Sequence, residues 1–198
     1  MSKRNKIIKR IFDVLFSFIG LILFSWLIFI AFVLASITTK SSGFFIQERI
    51  GRNGRKFKII KIKTMISNPQ ISSCVTTEND PRITRLGKIF RKTKIDELPQ
   101  LLNVLIGDMS FVGPRPDVES YYVNLSENDK IILTVRPGIT GPATLKYRNE
   151  EKILSMQENP EQYSRNIIFP NKIALNKDYI KNYGLNKDFY YIFKTIFK

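Results

Sequence analysis

Two adjacent carboxylates, Asp96 and Glu97, stand at the entrance to a short apolar helix and are the groups in this chain best placed to do chemistry. Side by side they can supply a nucleophile, a general base or oxygen ligands for a hard cation. The stretch that carries them, KTKIDELPQLLNVLIGDMSFVGPRP at 92–116, also holds Asp108 in a Gly-Asp turn and Arg115 in a Pro-Arg-Pro loop. Leu98, Leu101, Leu102 and Leu105 fall at i, i+3, i+4 and i+7, the spacing of one buried helical face. With Asp96 as N-cap, Pro99 takes the third helical position, where its missing N–H has no partner to lose. A start at Thr93, which a Thr-x-x-Asp pattern also allows, would put Pro99 inside the helix at a cost of about 3 kcal/mol. The later start is therefore expected, with Asp96 ionised at the positive end of the helix. Gly107-Asp108 reads as the helix stop, which makes Asp108 structural. An Asp-Glu pair without such surroundings would be an ordinary solvated cap.

Composition narrows the chemistry. No histidine occurs among the 198 residues, which removes His-based acid/base catalysis, Ser-His triads and most zinc sites. Carboxylates, Lys, Arg and Tyr remain. Lys and Arg total 32 against 17 Asp and Glu, a formal net charge of +15, which implies polyanionic company: nucleic acid, anionic headgroups or phosphate-rich substrates. No nucleic-acid recognition motif of the usual folds is present, and an apolar anchor would be an odd companion for one, so no nucleic-acid partner is expected. The lone Cys74 can form no internal disulfide, which fits a reducing cytosolic domain, and it reads as incidental.

The elements that must position the carboxylates begin with MSKRNKIIKRIFD, five basic residues followed by Asp13. Residues 14–37 are then uncharged and rich in Phe, Leu and Ile, longer than the roughly 20 needed to span a bilayer and too long for a signal-peptide core. They read as membrane-embedded. At 44–65 two β-prone runs flank Asn53-Gly54, which predicts a β-hairpin. Lys58, Lys61 and Lys63 alternate imperfectly with its apolar residues, and a solvated strand face would explain them. Residues 67–81 read as a polar, mobile loop, and RITRLGKIFRK as a short basic amphipathic helix with Leu86, Ile89 and Phe90 on one side. A helix is expected over 118–132, with Tyr121 and Tyr122 as packing aromatics. The Pro and two Gly of VRPGITG at 135–141 indicate a fixed loop close to a ligand or another backbone. Residues 185–198 mix aromatics with lysines and read as an interfacial helix.

DELPQLLNV followed by GDMSFVGPRP resembles the signature of the bacterial sugar transferases, the monotopic polyprenyl-phosphate phosphoglycosyl transferases. The resemblance extends in pieces over almost the whole chain: KRIFD near the start, Gln47, Arg49 and Gly51, the FKIIKIKTM block, DPRIT and VRPGITG. It implies transfer of a sugar 1-phosphate from a UDP-sugar to undecaprenyl phosphate, with release of UMP, as the first membrane step of a surface glycan. Asp96 would be the nucleophile and form an aspartyl-phosphosugar. Mg²⁺ would be held by Asp96 and Glu97 together with diphosphate oxygens, Glu97 serving either as metal ligand or in handling the acceptor's proton. Arg115 would hold phosphate bidentately, and Arg91, Lys61, Lys63 and Arg136 complete the phosphate-binding set the resemblance implies. Residues 142–151, PATLKYRNEE, depart from the commonest family pattern and look like a subgroup, so the sugar used by better-known members does not carry over. The competing class is a non-catalytic membrane-tethered scaffold that binds lipid or phosphate.

The expected fold is α+β and mostly helical. Residues 1–40 form a basic flank and a re-entrant membrane helix; residues 41–198 form a small cytosolic catalytic domain with interfacial amphipathic helices and a short β-hairpin. Related transferases turn the membrane helix back at a Ser-Pro pair, whereas this chain has Ser25 and then Trp26. Basic residues flank both ends of the apolar run, and the positive-inside bias pulls both to the cytosol. The expected location is the bacterial inner membrane with the catalytic domain on its cytosolic face. The expected partners are a UDP-sugar, polyprenyl phosphate and membrane lipids, with a second copy of the chain as a candidate.

Overall fold

The computed structural model describes residues 3–67, 75–123 and 125–197. Helix α1 (Lys3–Thr39) is helical throughout, about 55 Å of rise for its 37 residues. Its most apolar window has a mean hydropathy of 2.8 and is only 11% buried, so it is not the core helix of a soluble protein. The residues α1 buries fully are small or polar, Asp13, Ser17, Ala31, Ala35 and Thr39, with Phe12 and Phe32 packing beside them on Phe111 and Phe44. What it turns outward is large and apolar, including Leu23, Trp26, Phe29 and Ile37. That arrangement is inside-out for water and suits lipid. No break occurs at Ser25. Its hydroxyl bonds back to the carbonyl of Ile22 at 3.0 Å, and without a proline the helical ladder is not interrupted.

Strands β1 (Phe44–Ile50) and β2 (Lys56–Ile62) form the expected antiparallel hairpin, with Phe44 opposite Ile62 and Ile50 opposite Lys56. Asn53 occupies the left-handed region at φ 58° in the connecting turn. The imperfect alternation of β2 has a physical cause, because the strand is covered on both faces. Phe57 and Ile59 join Val104 and Met109 on one side, while Ile62 joins Ala31, Ala35 and Phe90 on the other. Lys61 shares the parity of Phe57 and Ile59.

Helix α2 (Arg85–Thr93) is capped by the Thr84 hydroxyl, which accepts from the N–H of Gly87 at 2.8 Å. Phe90 is buried but Ile89 is 54% exposed, so the apolar side is narrower than expected. Lys94 then adopts a left-handed conformation at φ 61° and ends α2. Asp96 is not an N-cap. It lies inside a 3₁₀ turn, Ile95–Glu97, and α3 (Gln100–Ile106) begins after Pro99. Thr93 closes α2 rather than opening a helix. Because Pro99 cannot donate, the turn before it tightens to i→i+3 bonds, Glu97 to Lys94 and Leu98 to Ile95.

The buried face of α3 is also not the leucine row. Gln100, Leu101, Asn103 and Val104 are buried, whereas Leu102 is 41% exposed. Asn103 explains the rotation. Its amide donates to the Lys58 carbonyl at 2.8 Å and accepts from the Ile60 N–H at 3.1 Å, closing the edge of β2 that β1 leaves open. Gly107, at φ 101°, ends α3 as expected, and the N–H groups of Gly107, Asp108 and Met109 all reach the Asn103 carbonyl.

Strand β3 (Ser110–Val112) pairs in parallel with β4 (Gly138–Thr140). VRPGITG thus lies against another backbone: a Cβ on Gly138 would sit 2.1 Å from the nitrogen of Gly113. The helix expected over 118–132 is not formed. That segment holds 3₁₀ turns at Glu119–Tyr121 and Lys130–Thr134, and just ahead of the second the Ser126 hydroxyl accepts from the Asp129 N–H at 3.2 Å. Tyr121 and Tyr122 do pack, both on Phe169. Of the polar loop expected at 67–81, residues 68–74 lie outside the described residues, Cys74 among them.

Helices α4 (Pro142–Lys146), α5 (Glu150–Ser155), α6 (Pro160–Tyr163), α7 (Phe169–Lys181) and α8 (Leu185–Ile196) complete the chain. They cover a core of Val112, Ile132, Ile173, Tyr179 and Ile180. The expected helix over 185–198 is α8, with Phe189, Tyr190 and Phe193 outward. Its Asp188 points inward, takes Lys9 and the Tyr179 hydroxyl at 2.5 Å and the Tyr183 hydroxyl at 3.1 Å, and so ties α1, α7 and α8 together.

The Asn103 bridge yields a direct test. Asn103→Ala leaves a part-buried N–H and carbonyl of β2 without their side-chain partner and should cost roughly 1–3 kcal/mol. Chemical denaturation in detergent should show this; a loss below about 0.5 kcal/mol, the scale of a neutral surface change, would mean the bridge is dispensable.

Candidate active site

The 3₁₀ turn aims Asp96 and Glu97 into the protein, each only 8% exposed. Two elements meet them. From β2, the Lys61 ammonium lies 3.8 Å from Glu97. From the loop after β3, the Arg115 guanidinium donates to Glu97 Oε1 at 2.7 Å, with its other arm 3.5 Å from Oε2. That loop is stiff because Pro114 and Pro116 flank Arg115 and its backbone is clipped on both sides. Gly113 donates to Thr140, Gly138 donates to the Pro114 carbonyl, and Ile50 donates to the Asp117 carbonyl.

The two carboxylates are not equivalent. Glu97 is held by two cations, while Asp96 Oδ1 is buried with no hydrogen-bond partner. Burial, and then the Glu97 charge, push the Asp96 carboxyl above its ordinary value. Burial would raise Glu97 too, but Arg115 and then Lys61 overcome it and hold that carboxyl well below the usual range. Burial, followed by the Arg115 charge, brings Lys61 down to about 8. Lys94, held left-handed at the end of α2, adds its charge to both carboxylates. The result is a buried anion without a partner beside a neutralised one, a constellation suited to nucleophilic attack on a phosphorus centre.

The remaining predicted residues divide. Arg91 reaches the edge of the site: its charge acts on Asp96, and its guanidinium pairs with Glu151 of α5 and approaches Thr64 at 3.4 Å. Lys63 lies past the end of β2 and donates to Ser41 at 2.8 Å. Arg136 is bonded through Nε to the carbonyl of Gly107, at the opposite end of α3 from Asp96. Sequence reasoning missed Lys94, Asn103, and Glu151 as the partner of Arg91. Asn103 was findable, being a polar residue inside the apolar run QLLNVLI; nothing local marks the other two.

A divalent cation fits this donor set in one way. Among the described residues no group of three His, Cys, Asp or Glu could enclose a metal. Asp96 offers a free oxygen, Glu97 lies beside it, and the remaining ligands would be water and substrate oxygens, the pattern by which Mg²⁺ is usually bound.

Residues 4–198 match the family model described as Bacterial sugar transferase. The chain is 34% identical to the exopolysaccharide production protein ExoY of Rhizobium meliloti (strain 1021), over 95% of this chain and 83% of that protein. It is 35% identical to the UDP-N-acetylgalactosamine-undecaprenyl-phosphate N-acetylgalactosaminephosphotransferase of Aeromonas hydrophila, over 96% of this chain and 43% of the relative. It is 31% identical to the UDP-glucose:undecaprenyl-phosphate glucose-1-phosphate transferase of Escherichia coli (strain K12), over 100% of this chain and 41% of the relative.

The electrostatic asymmetry predicts opposite stability effects. Asp96 binds its proton more tightly folded than unfolded, so wild-type stability falls as pH rises from 3.8 through the raised value. In metal-free buffer Asp96→Asn should be at least as stable as wild type, with the gap opening across that window. Arg115→Met leaves the buried Glu97 charge with only the more distant Lys61 and should cost roughly 2–4 kcal/mol at neutral pH. Because the folded Glu97 is depressed, that loss should shrink as pH falls below 4.5. Thermal unfolding against pH checks both, and a destabilised Asp96→Asn protein would refute the assigned asymmetry.

Proposed function

The chain belongs to the bacterial sugar transferase family, and from that premise we propose that it moves a sugar 1-phosphate from a UDP-sugar to undecaprenyl phosphate through a covalent Asp96 intermediate. The observation that carries the reading is the unpartnered, buried oxygen of Asp96 beside a Glu97 already held by Arg115 and Lys61. Relatives named for UDP-sugars and undecaprenyl phosphate support the donor and acceptor classes.

In the first half-reaction an Asp96 oxygen forms a bond to the phosphorus that carries the sugar. The bond from that phosphorus to the bridging oxygen breaks, and UMP leaves with that oxygen. In the second, an oxygen of undecaprenyl phosphate attacks the same phosphorus and displaces the Asp96 carboxylate. The product is a polyprenyl-diphosphate sugar, the first membrane intermediate of a surface polysaccharide or glycoconjugate. Arg115 and Lys61 supply positive charge to phosphoryl oxygens during both displacements, and Arg91 can join them by leaving Glu151. Mg²⁺, held by Asp96 and Glu97 with substrate oxygens, would neutralise diphosphate charge.

The second part of the proposal is that α1, although unbroken, dips into the membrane along the flank of the domain and keeps both of its ends on the cytosolic face. Both halves of α1 touch the same domain: Arg10 and Asp13 bond to α3 and β3, and Ala31 and Ala35 pack on Ile62 and Phe90. Basic residues flank both ends, and UDP-sugars are made in the cytosol, which supports the same side for both.

Intact-mass spectrometry of wild type given donor alone should show one phosphosugar adduct, absent from Asp96→Asn, with no turnover by that variant. Near wild-type turnover by Asp96→Asn would end the nucleophile assignment. Excess EDTA should abolish activity and Mg²⁺ restore it; full activity after metal removal would rule out the cation. For topology, single cysteines at Lys3 and Ser42 in a Cys74-free background should both resist an impermeant thiol reagent in intact cells and react after permeabilisation. Labelling of the Lys3 position from outside would show a spanning helix.

A further inference from the structure

A cavity at the far end of α3 has no part in the chemistry described above. It is small, about 50 Å³, partly open to solvent, and is lined by Lys6, Lys9, Arg10, Arg52 and Arg136, with Asp13 its one acidic side chain. Arg10 and Arg136 both converge on the end of α3, bonding the carbonyls of Val104, Leu105 and Gly107 at 2.6, 2.8 and 2.8 Å. The seven residues of α3, a rise of about 10 Å, and the turn at 98–99 separate that end from the carboxylates.

Capping the carbonyl end of a helix is an ordinary task for arginine and accounts for part of this arrangement. It does not account for the charge. Five cations face two carboxylates, Asp13 in the cavity and Asp188, which pairs with Lys9 at 2.5 Å. Asp13 is itself taken up by the Ser110 hydroxyl and the Phe111 N–H, both at 3.1 Å. Helix carbonyls offer only about half a unit of negative charge, which leaves most of the excess uncompensated. Among the described residues Lys6 and Arg52 have no protein partner, and neither do the terminal nitrogens of Arg136. Burial, then the charges of Arg52 and Arg10, hold the Arg136 guanidinium below its ordinary value, and the opposing charge of Asp13 does not offset them.

We propose that this cavity is a phosphate-binding site separate from the catalytic carboxylates, built to take the phosphate of an anionic lipid headgroup or a free phosphate anion. Several convergent donors on two planar guanidinium groups and an ammonium match a tetrahedral group with many oxygens. Lys6, Lys9, Arg10 and Asp13 occupy the last polar turns of α1 before the uncharged run at 14–37, so the cavity opens where that helix meets the headgroup layer. Occupancy would fix α1, the β1–β2 turn and the end of α3 on one anion.

The test uses the full chain in uncharged detergent at constant ionic strength. Its thermal midpoint is measured with short-chain phosphatidylglycerol, short-chain phosphatidylcholine or inorganic phosphate, and chloride serves as the salt control. Phosphatidylglycerol, inorganic phosphate or both should raise the midpoint, whereas phosphatidylcholine should not. A response to phosphatidylglycerol alone assigns the lipid source, and a response to inorganic phosphate alone the soluble one. Lys6→Gln/Arg52→Gln, which removes two unpartnered side chains at little risk to the fold, should weaken the apparent affinity about tenfold or more, as should Arg136→Gln. Arg55→Gln, in the same turn but outside the cavity, should leave it unchanged. No shift with either phosphate compound, or a shift that survives in the cavity variants, overturns the proposal.

Discussion

The ion pair between Glu97 and Arg115 is the interaction on which the site depends. Two adjacent carboxylates cannot both be buried as free anions, since desolvation and mutual repulsion would protonate at least one. Arg115, seconded by Lys61, settles which one is neutralised, and by doing so leaves Asp96 buried and unpaired. Every nearby element serves that division. Pro99 forces the tight turn that points both side chains inward, and the Pro-Arg-Pro loop pinned to β4 holds the guanidinium in place. Asn103 fixes β2 against α3 so that Lys61 arrives beside Glu97. An arrangement that stores an unpaired anion is poor for stability and useful for attack on phosphorus.

The fold is held by polar bridges as much as by its core. The apolar clusters are small and separate, because the largest apolar surface, on α1, faces outward. Buried Asp13 joins α1 to β3, buried Asp188 joins α1 to α7 and α8, and buried Asn103 joins α3 to β2. Polar contacts of this kind are directional, so they set the orientation of α1 on the domain in a way that packing against Ala31 and Ala35 alone would not. This suits a protein whose long helix turns most of its apolar surface away from the domain.

Asp96, Glu97, Lys61 and Arg115 were legible as a group, because the DELPQLLNV and GPRP segments resemble a family and their residue types suit phosphate chemistry. The hairpin was legible from Asn53-Gly54, the end of α3 from Gly107, and α8 from its alternating aromatics and lysines. The rest failed for identifiable reasons. Leucine spacing misplaced the buried face of α3 because Asn103, not a leucine, meets the edge of β2, and periodicity counts only apolar residues. A capping pattern misplaced Asp96 because the αL turn at Lys94 and the 3₁₀ turn before Pro99 are decided by tertiary contacts. The helix expected over 118–132 gave way to two 3₁₀ turns, and Tyr121 and Tyr122 beside the first pack on Phe169, a contact far away in sequence. Arg136 drew attention as part of a motif, but its contact with Gly107 is long-range and left no trace in the local sequence.

The division between the two carboxylates is open to direct observation by a carboxyl-carbon NMR titration of the metal-free protein, assigned with Asp96→Asn and Glu97→Gln. The account predicts that Asp96 titrates above its ordinary 3.8 and Glu97 below its ordinary 4.5. Asp96 titrating at or below 3.8, or Glu97 taking the higher step of the pair, would contradict it.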